Sequence, residues 1–200
     1  MVIQQNSFNL NERIKMNENI TSAIEKRIKR YHEDFSRPLM AEQWEEVLTR
    51  SLRDVGLNPE WDNDRSHKVG EDIYEESIGR ISCKSGSLEK DSVKFNGSRT
   101  TRFKTLEEKL NFLSSSHDDV YFMLAKDKKD IKEKNFKYKV LVFPSSACKA
   151  NSLRWEETKG GWKGTGDFKA TINRSMSDQL WTTLPLDKVD HVYEIDGNPS

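Results

Sequence analysis

The stretch GEDIYEESIGRISCKSG, residues 70–86, carries the reading of the fold. Ile73 and Tyr74 can open a short strand, Glu75–Gly79 supply a turn, and Arg80, Ile81, Ser82, Cys83 and Lys84 alternate polar with apolar up to a stop at Gly86. Alternation of period two marks a half-buried strand, because successive side chains leave the backbone on opposite faces. A hairpin this short can bring Asp72, ahead of the first strand, to Lys84, twelve residues later on the second. A carboxylate there can ligate a hard cation such as Mg²⁺, which prefers oxygen ligands and keeps several waters. The ammonium can orient or help deprotonate an attacking water and offset phosphate charge, while the metal stabilises charge on the phosphorus centre and its leaving oxygen. The spacing alone is common; its context makes it informative.

Working outward, Ser92–Phe95 is a strand candidate and Asn96-Gly97 a turn signal. Thr105 opens a helix as N-cap, Glu108 completes a capping box, and Leu106, Leu110 and Leu113 form its expected buried stripe. Strands at residues 120–125 and 138–143 flank the lysine-rich KDKKDIKEKN, read as an exposed hairpin loop. From Ala147 onward Gly160, Gly161, Gly164 and Gly166 mark irregular structure, until Phe168, Ala170 and Ile172 alternate as a strand. On the N-terminal side, Trp61–Lys68 reads as a loop. Before it, Trp44, Val47, Leu48, Leu52 and Val55 line one face of a helix stopped by Gly56 and Pro59. Pro38 separates that helix from an earlier one carrying Ile20, Ile24, Ile28, Tyr31 and Phe35, and residues 1–16 read as an arm. Helices around a mixed central sheet make the chain α/β, with α+β as the second option, and 200 residues suit one domain.

The composition is polar, 34% hydrophobic and 33% charged with a mean hydropathy of −0.85, yet five Trp, five Tyr and nine Phe supply apolar anchors. No apolar run approaches the roughly 20 residues of a membrane helix. The opening MVIQQNSFNLNERIK lacks the apolar core of a secretory signal. Cys83 and Cys148 have no metal spacing and read as small buried hydrophobes in a reducing compartment. The four histidines, His32, His67, His117 and His191, are scattered and suggest no zinc site, although His67 could assist water handling close to Asp72. These features lead to the expectation of a cytoplasmic protein with no membrane partner.

Net charge is zero, but charge is segregated. Residues 40–76 hold 4 Lys/Arg against 11 Asp/Glu, and residues 94–139 hold 12 against 7. An acidic stretch beside a basic one suits a protein that holds a cation next to a polyanion, although solvated surface can look the same.

With Asp72 and Lys84 in this setting, the chain resembles the PD-(D/E)XK nuclease superfamily, type II restriction endonucleases in particular, over roughly residues 40–125. Glu71-Asp72 stands where the family has Pro-Asp, and Ser82-Cys83-Lys84 where it has (Asp/Glu)-X-Lys. The polar run leading into the helix at Thr105 is also similar. The resemblance implies a restriction-endonuclease-like fold and Mg²⁺-dependent hydrolysis of double-stranded DNA at a short site. It also implies a homodimer whose two-fold axis mirrors that of the site, in a prokaryotic cytoplasm.

Ser82 departs from the pattern, since a hydroxyl is a poor substitute for a carboxylate ligand. The resemblance extends to restriction enzymes with Ser-X-Lys, whose missing acid comes from the next helix. Glu107 and Glu108 are the candidates there, although both also suit a helix N-terminus. Glu45 or Glu46 on the preceding helix is the other route. The expected catalytic set is therefore Asp72, Ser82, Lys84 and Glu107, with Asp72, Glu107 and Glu45 as metal ligands.

Two segments carry residue types that bind DNA. One is SRTTRFK, with Arg99, Thr100, Arg102 and Lys104 just ahead of a helix N-terminus, itself an anion site. The other is RWEETKGGWKGTGDFKATINRSMSDQLW, with Lys163, Asn173, Arg174, Ser175, Ser177 and Gln179. Trp155, Trp162 and Trp181 are candidates for packing, Trp181 being expected in the core. The rival reading is a catalytically impaired or non-specific nuclease-fold protein that binds DNA in repair or recombination.

Overall fold

The computed structural model describes residues 18–61, 72–115 and 118–199. The expected arm at 1–16, Glu71, His67, His117 and most of the loop at 61–68 lie outside the described residues. The fold is α/β: one ten-stranded mixed sheet with helices packed against it.

The first two helices form where the 3.6-residue period places them. Helix α1 (Glu18–Asp34) buries Ile20, Ile24 and Ile28, and α2 (Ala41–Asp54) buries Trp44, Val47, Leu48 and Leu52. Gly56, at φ +87°, follows the end of α2 in the left-handed conformation that glycine adopts without strain. Phe35 falls one residue past α1 and is exposed.

Strand β1 (Ile73–Glu75) turns back through Ser77 and Ile78 into β2 (Gly79–Glu89), then β3 (Ser92–Arg99), α3 (Leu106–Ser114) and β4 (Val120–Asp127). A short helix, α4 (Lys128–Lys132), lies in the connection to β5 (Lys137–Pro144), where a simple loop was expected. Beyond it come β6 (Arg154–Thr158), β7 (Gly161–Thr165), β8 (Lys169–Asn173), β9 (Gln179–Pro185) and β10 (His191–Asp196). The sheet order is β10-β5-β4-β2-β3-β9-β8-β7-β6, with β1 on the start of β2. The β2–β4 pair is parallel and the other paired strands are antiparallel.

The sheet separates two cores. Ile81, Cys83, Val120, Phe122 and Leu124 face the cluster under α1 and α2. Met123, Ala125, Phe95 and Phe143 face a second cluster with Ile172, Leu180 and Leu184 from the C-terminal strands. The indole N–H of Trp44 donates to the Phe122 carbonyl at 2.9 Å, tying α2 to β4 through the first core.

Gly86 and Gly97, expected as a stop and a turn, instead serve close packing inside strands. Gly86 lies inside β2, because a Cβ there would meet Val93 at 2.7 Å and Met123 at 2.8 Å. Asn96-Gly97 is no turn; β3 runs through it with a shift of register before Arg99, and the turn into β3 is at Lys90-Asp91. The glycine-rich region after Ala147 is mostly strand, with Gly160-Gly161 turning β6 into β7. On α3 the leucines are only partly buried, and the helix residue fully buried is Lys109. Trp181 is likewise only half-buried, with the Lys94 ammonium 5.8 Å over its ring.

Candidate active-site cleft

The cleft follows from how β2 shares its edge. Strand β1 pairs with residues 79–81 of β2 and β3 with residues 86–89, whereas β4 covers the opposite edge from 81 to 88. Residues 82–85 thus face a gap between β1 and β3. Backbone groups on such a gap need partners. Asp72 and Lys84 provide them: Asp72 Oδ2 accepts the Cys83 N–H at 2.6 Å, and Lys84 Nζ donates to the Cys83 carbonyl at 3.2 Å. Ser82 Oγ donates to the same Asp72 oxygen at 3.2 Å, and Lys84 Nζ lies 3.5 Å from it. Both charged side chains remain partly open, at 22% and 27% exposure.

The gap opens into a cleft of about 310 Å³, walled by Glu45 of α2, Asn96–Ser98 of β3, Phe112 of α3, and Asp118 and Tyr121 at the entry to β4. Gly79, at φ +104°, sets one end: a Cβ there would meet Asp119 Oδ2 at 2.8 Å, and that oxygen accepts the Arg80 N–H at 2.9 Å. Asp119 N–H in turn donates to the Arg80 carbonyl at 2.9 Å, so residue 118 is held level with the start of β2, where it joins the cleft lining.

Asp118 was missed in the sequence because it follows a serine-rich run and precedes a strand, a place that reads as loop. It is 6% exposed, and its Oδ1 has no hydrogen-bond partner among the described residues. Burial raises its carboxyl above the usual aspartate range and the charge of Asp72 adds to that, while its own backbone N–H, Lys84 and the Tyr121 hydroxyl pull it back. Burial also pushes the Cys148 thiol up to about 12, and the Cys83 thiol and Tyr121 phenol well above their ordinary values. Those three groups stay neutral near pH 7 and serve as packing and lining; both cysteines are free, buried thiols.

The predicted catalytic residues divide. Asp72, Ser82, Lys84 and Glu45 line one cleft. Glu107 does not: it is exposed on the first turn of α3, outside the lining. Glu108 closes the capping box, accepting the Thr105 N–H at 3.0 Å, and its carboxyl is held low by the backbone donors of Thr105 and Lys104. Glu46 pairs with Arg50 at 2.7 Å.

The two segments of DNA-binding residue types meet, though they are some 75 residues apart in the chain. Arg99 pairs in register with Gln179, and Thr101 Oγ1 donates to the Ser177 carbonyl at 3.3 Å. Thr100 is corrected from a DNA contact to a structural group: it is fully buried, and its Oγ1 donates to the Asp178 carbonyl at 2.7 Å. Arg99, Lys104, Lys163, Ser175 and Ser177 are exposed, and Asn173 and Gln179 half-buried. The exposed Arg102 guanidinium stacks over Phe103 and Phe112 at 4.8 and 4.5 Å, the latter a cleft residue. Arg174 pairs with Glu157 and lies 4.8 Å over Trp162.

Beneath this surface is the buried Lys109 of α3. Its Nζ donates to the carbonyls of Thr100 and Phe103 at 2.9 and 2.6 Å and to Asp178 Oδ2 at 2.8 Å.

Among the described residues no three His, Cys, Asp or Glu side chains form a ready-made metal cage. Mg²⁺ is often held by only one or two carboxylates together with phosphate and water, and an unpartnered buried carboxylate oxygen beside Asp72 fits that donor set. Among the described residues no helix is long and apolar enough to cross a membrane. Comparison of the chain with protein families, with curated proteins and with solved structures finds no match to any of them.

Proposed function

We propose that this chain is a Mg²⁺-dependent DNA endonuclease of the PD-(D/E)XK kind, cutting duplex DNA at a short specific site as type II restriction enzymes do. The observation that carries the reading is the meeting of Asp72 and Lys84, at 3.5 Å, in an open cleft. One wall of that cleft, Asn96–Ser98, continues into Arg99 and the paired arginine-bearing segments.

In this reading Asp72 would hold the cation, which would supply charge stabilisation to the phosphoryl centre and its leaving oxygen. The Lys84 ammonium, held beside Asp72, would face the attacking water and the scissile phosphate, where a fixed positive charge lowers the cost of the developing anion. Ser82 orients Asp72 through its hydroxyl and does not ligate. Arg99, Arg102 and Lys104 take phosphates or guanine edges beside the cleft, and Arg174, Ser175, Ser177 and Gln179 extend that surface. A cytoplasmic prokaryotic homodimer acting on a palindromic site goes with the same reading.

A second reading, a DNA-binding protein without turnover, draws on Ser82, a buried neutral group where the family pattern has an acid. Incubating plasmid and phage DNA with the protein and Mg²⁺ separates the two. Discrete fragments support the restriction enzyme, a smear a non-specific nuclease, and intact DNA with retarded mobility the binding protein.

A further inference from the structure

We propose that Asp118 is the second metal carboxylate of the cleft, filling with Asp72 the role that Ser82 leaves open and that Glu107, exposed outside the cleft lining, does not take. This deepens the nuclease reading and rests on it for the identity of the reaction, but the metal site itself can be tested without DNA.

Topology places the residue. Strand β4 runs parallel to β2, with Val120 opposite Ile81 and Tyr121 opposite Ser82. The residues entering β4 therefore arrive level with Gly79 and Arg80 at the start of β2, at the end of the cleft whose lining Asp118 shares with Asp72, Ser82 and Lys84. The backbone there is pinned from two sides: Ser145 Oγ donates to the Asp118 carbonyl at 2.7 Å, and the Asp119 N–H donates to β2. The carboxyl group is thus held at the cleft by the fold.

An unpartnered oxygen on a buried carboxylate is costly, because the donors that reach the Asp118 carboxyl leave the desolvation of Oδ1 without an offset. Arg80 and Lys84 lie on the adjoining strand, yet Lys84 directs its ammonium to Asp72 and Cys83. A divalent cation shared between Asp72 and Asp118 would satisfy the orphaned oxygen and neutralise two like charges that now oppose each other. Two carboxylates, a phosphate oxygen and waters make an ordinary Mg²⁺ shell. Glu45 lines the cleft as well, but from α2, across the β2 edge.

The test is a Tb³⁺ titration of the full chain, read by aromatic-sensitised luminescence and by displacement with Mg²⁺, on wild type, Asp118→Asn and Glu107→Gln. Asp118→Asn should weaken Tb³⁺ binding by about tenfold or more, while Glu107→Gln binds as wild type does. Thermal unfolding without metal verifies the fold, and Asp118→Ser serves if Asp118→Asn fails to fold. Wild-type Tb³⁺ affinity in Asp118→Asn overturns the proposal, as does weakening by Glu107→Gln alone or a wild-type protein that binds no Tb³⁺. Unchanged metal binding in a variant of a protein that cleaves DNA removes Asp118 and leaves the nuclease reading intact. Metal held through Asp118 by a protein that cuts no DNA does the reverse.

Discussion

Strand β2 has two faces with opposite chemistry. Ile81 and Cys83 point into the core under α1 and α2, whereas Ser82 and Lys84 point toward the cleft with Asp72. The helix-covered face is apolar and closed, and the Trp44 indole in it is satisfied by the Phe122 carbonyl. The cleft face carries buried polar groups, one of them orphaned. Stability is concentrated on one side of a strand and reactive groups on the other, so substitutions one residue apart should have different kinds of effect.

The largest effect on stability belongs to the closed face. Trp44→Ala should cost about 3–5 kcal/mol in urea or thermal unfolding, since it empties a fully buried site and removes the bond to β4. Trp44→Phe, which keeps most of the apolar volume, should recover much of that loss. Equal stability of Trp44→Ala and wild type would break the contrast between the faces.

Legibility in the sequence follows the same division. Apolar periodicity reports a closed face, so α1, α2 and the hairpin of β1 and β2 could be read directly, and the Thr105–Glu108 cap has its own local signature. The Asp72–Lys84 pairing was legible because a hairpin this short brings the residue ahead of its first strand to the second strand. Asp118 and Lys109 were not, since a lone acid before a strand and a lysine on a helix have no periodic mark. Their roles come from partners 34 to 69 residues away, Lys84 and Asp178. Gly86 and Asn96-Gly97 misled because close approach of Val93, Met123 and Leu180, invisible locally, decides those positions.

Lys109 tests whether a polar group can carry structure on the cleft side. Lys109→Met strands the Asp178 carboxylate and two carbonyls, and loss of one partner from such a buried pair costs about 3 kcal/mol. Adding Asp178→Asn should return part of it in the double variant. Unfolding midpoints for the four proteins measure the coupling, and additive losses would show the pair to be independent.

A smaller effect appears with pH on the closed face. His32 is buried between the Phe35 carbonyl and the Tyr138 hydroxyl, at 3.0 and 2.9 Å, and burial lowers its imidazole below the ordinary value of about 6.5. Between the lowered folded pKa and 6.5 the unfolded chain binds the extra proton. The contribution of His32 is therefore fully present above pH 6.5 and is lost as pH falls through that window. Unfolding at pH 7.5 and 5.5 should show a decline in wild type that is reduced in His32→Gln; the same pH dependence in both proteins would refute this assignment.

The smallest effect is expected at Glu107. As an exposed residue off the cleft, Glu107→Gln should change stability by no more than about 0.5 kcal/mol and leave Mg²⁺-dependent cleavage unaltered. A drop in cleavage rate of orders of magnitude would return Glu107 to the metal site and displace Asp118.

The central claim is that Asp72 and Lys84 form a reaction centre, and single-turnover cleavage of plasmid DNA by wild type and Lys84→Ala in Mg²⁺ tests it most directly. DNA affinity should be measured alongside in Ca²⁺, which is expected to support binding without turnover. The account predicts that Lys84→Ala loses cleavage by orders of magnitude while remaining folded and binding DNA with nearly wild-type affinity. Cleavage by Lys84→Ala at the wild-type rate would contradict it.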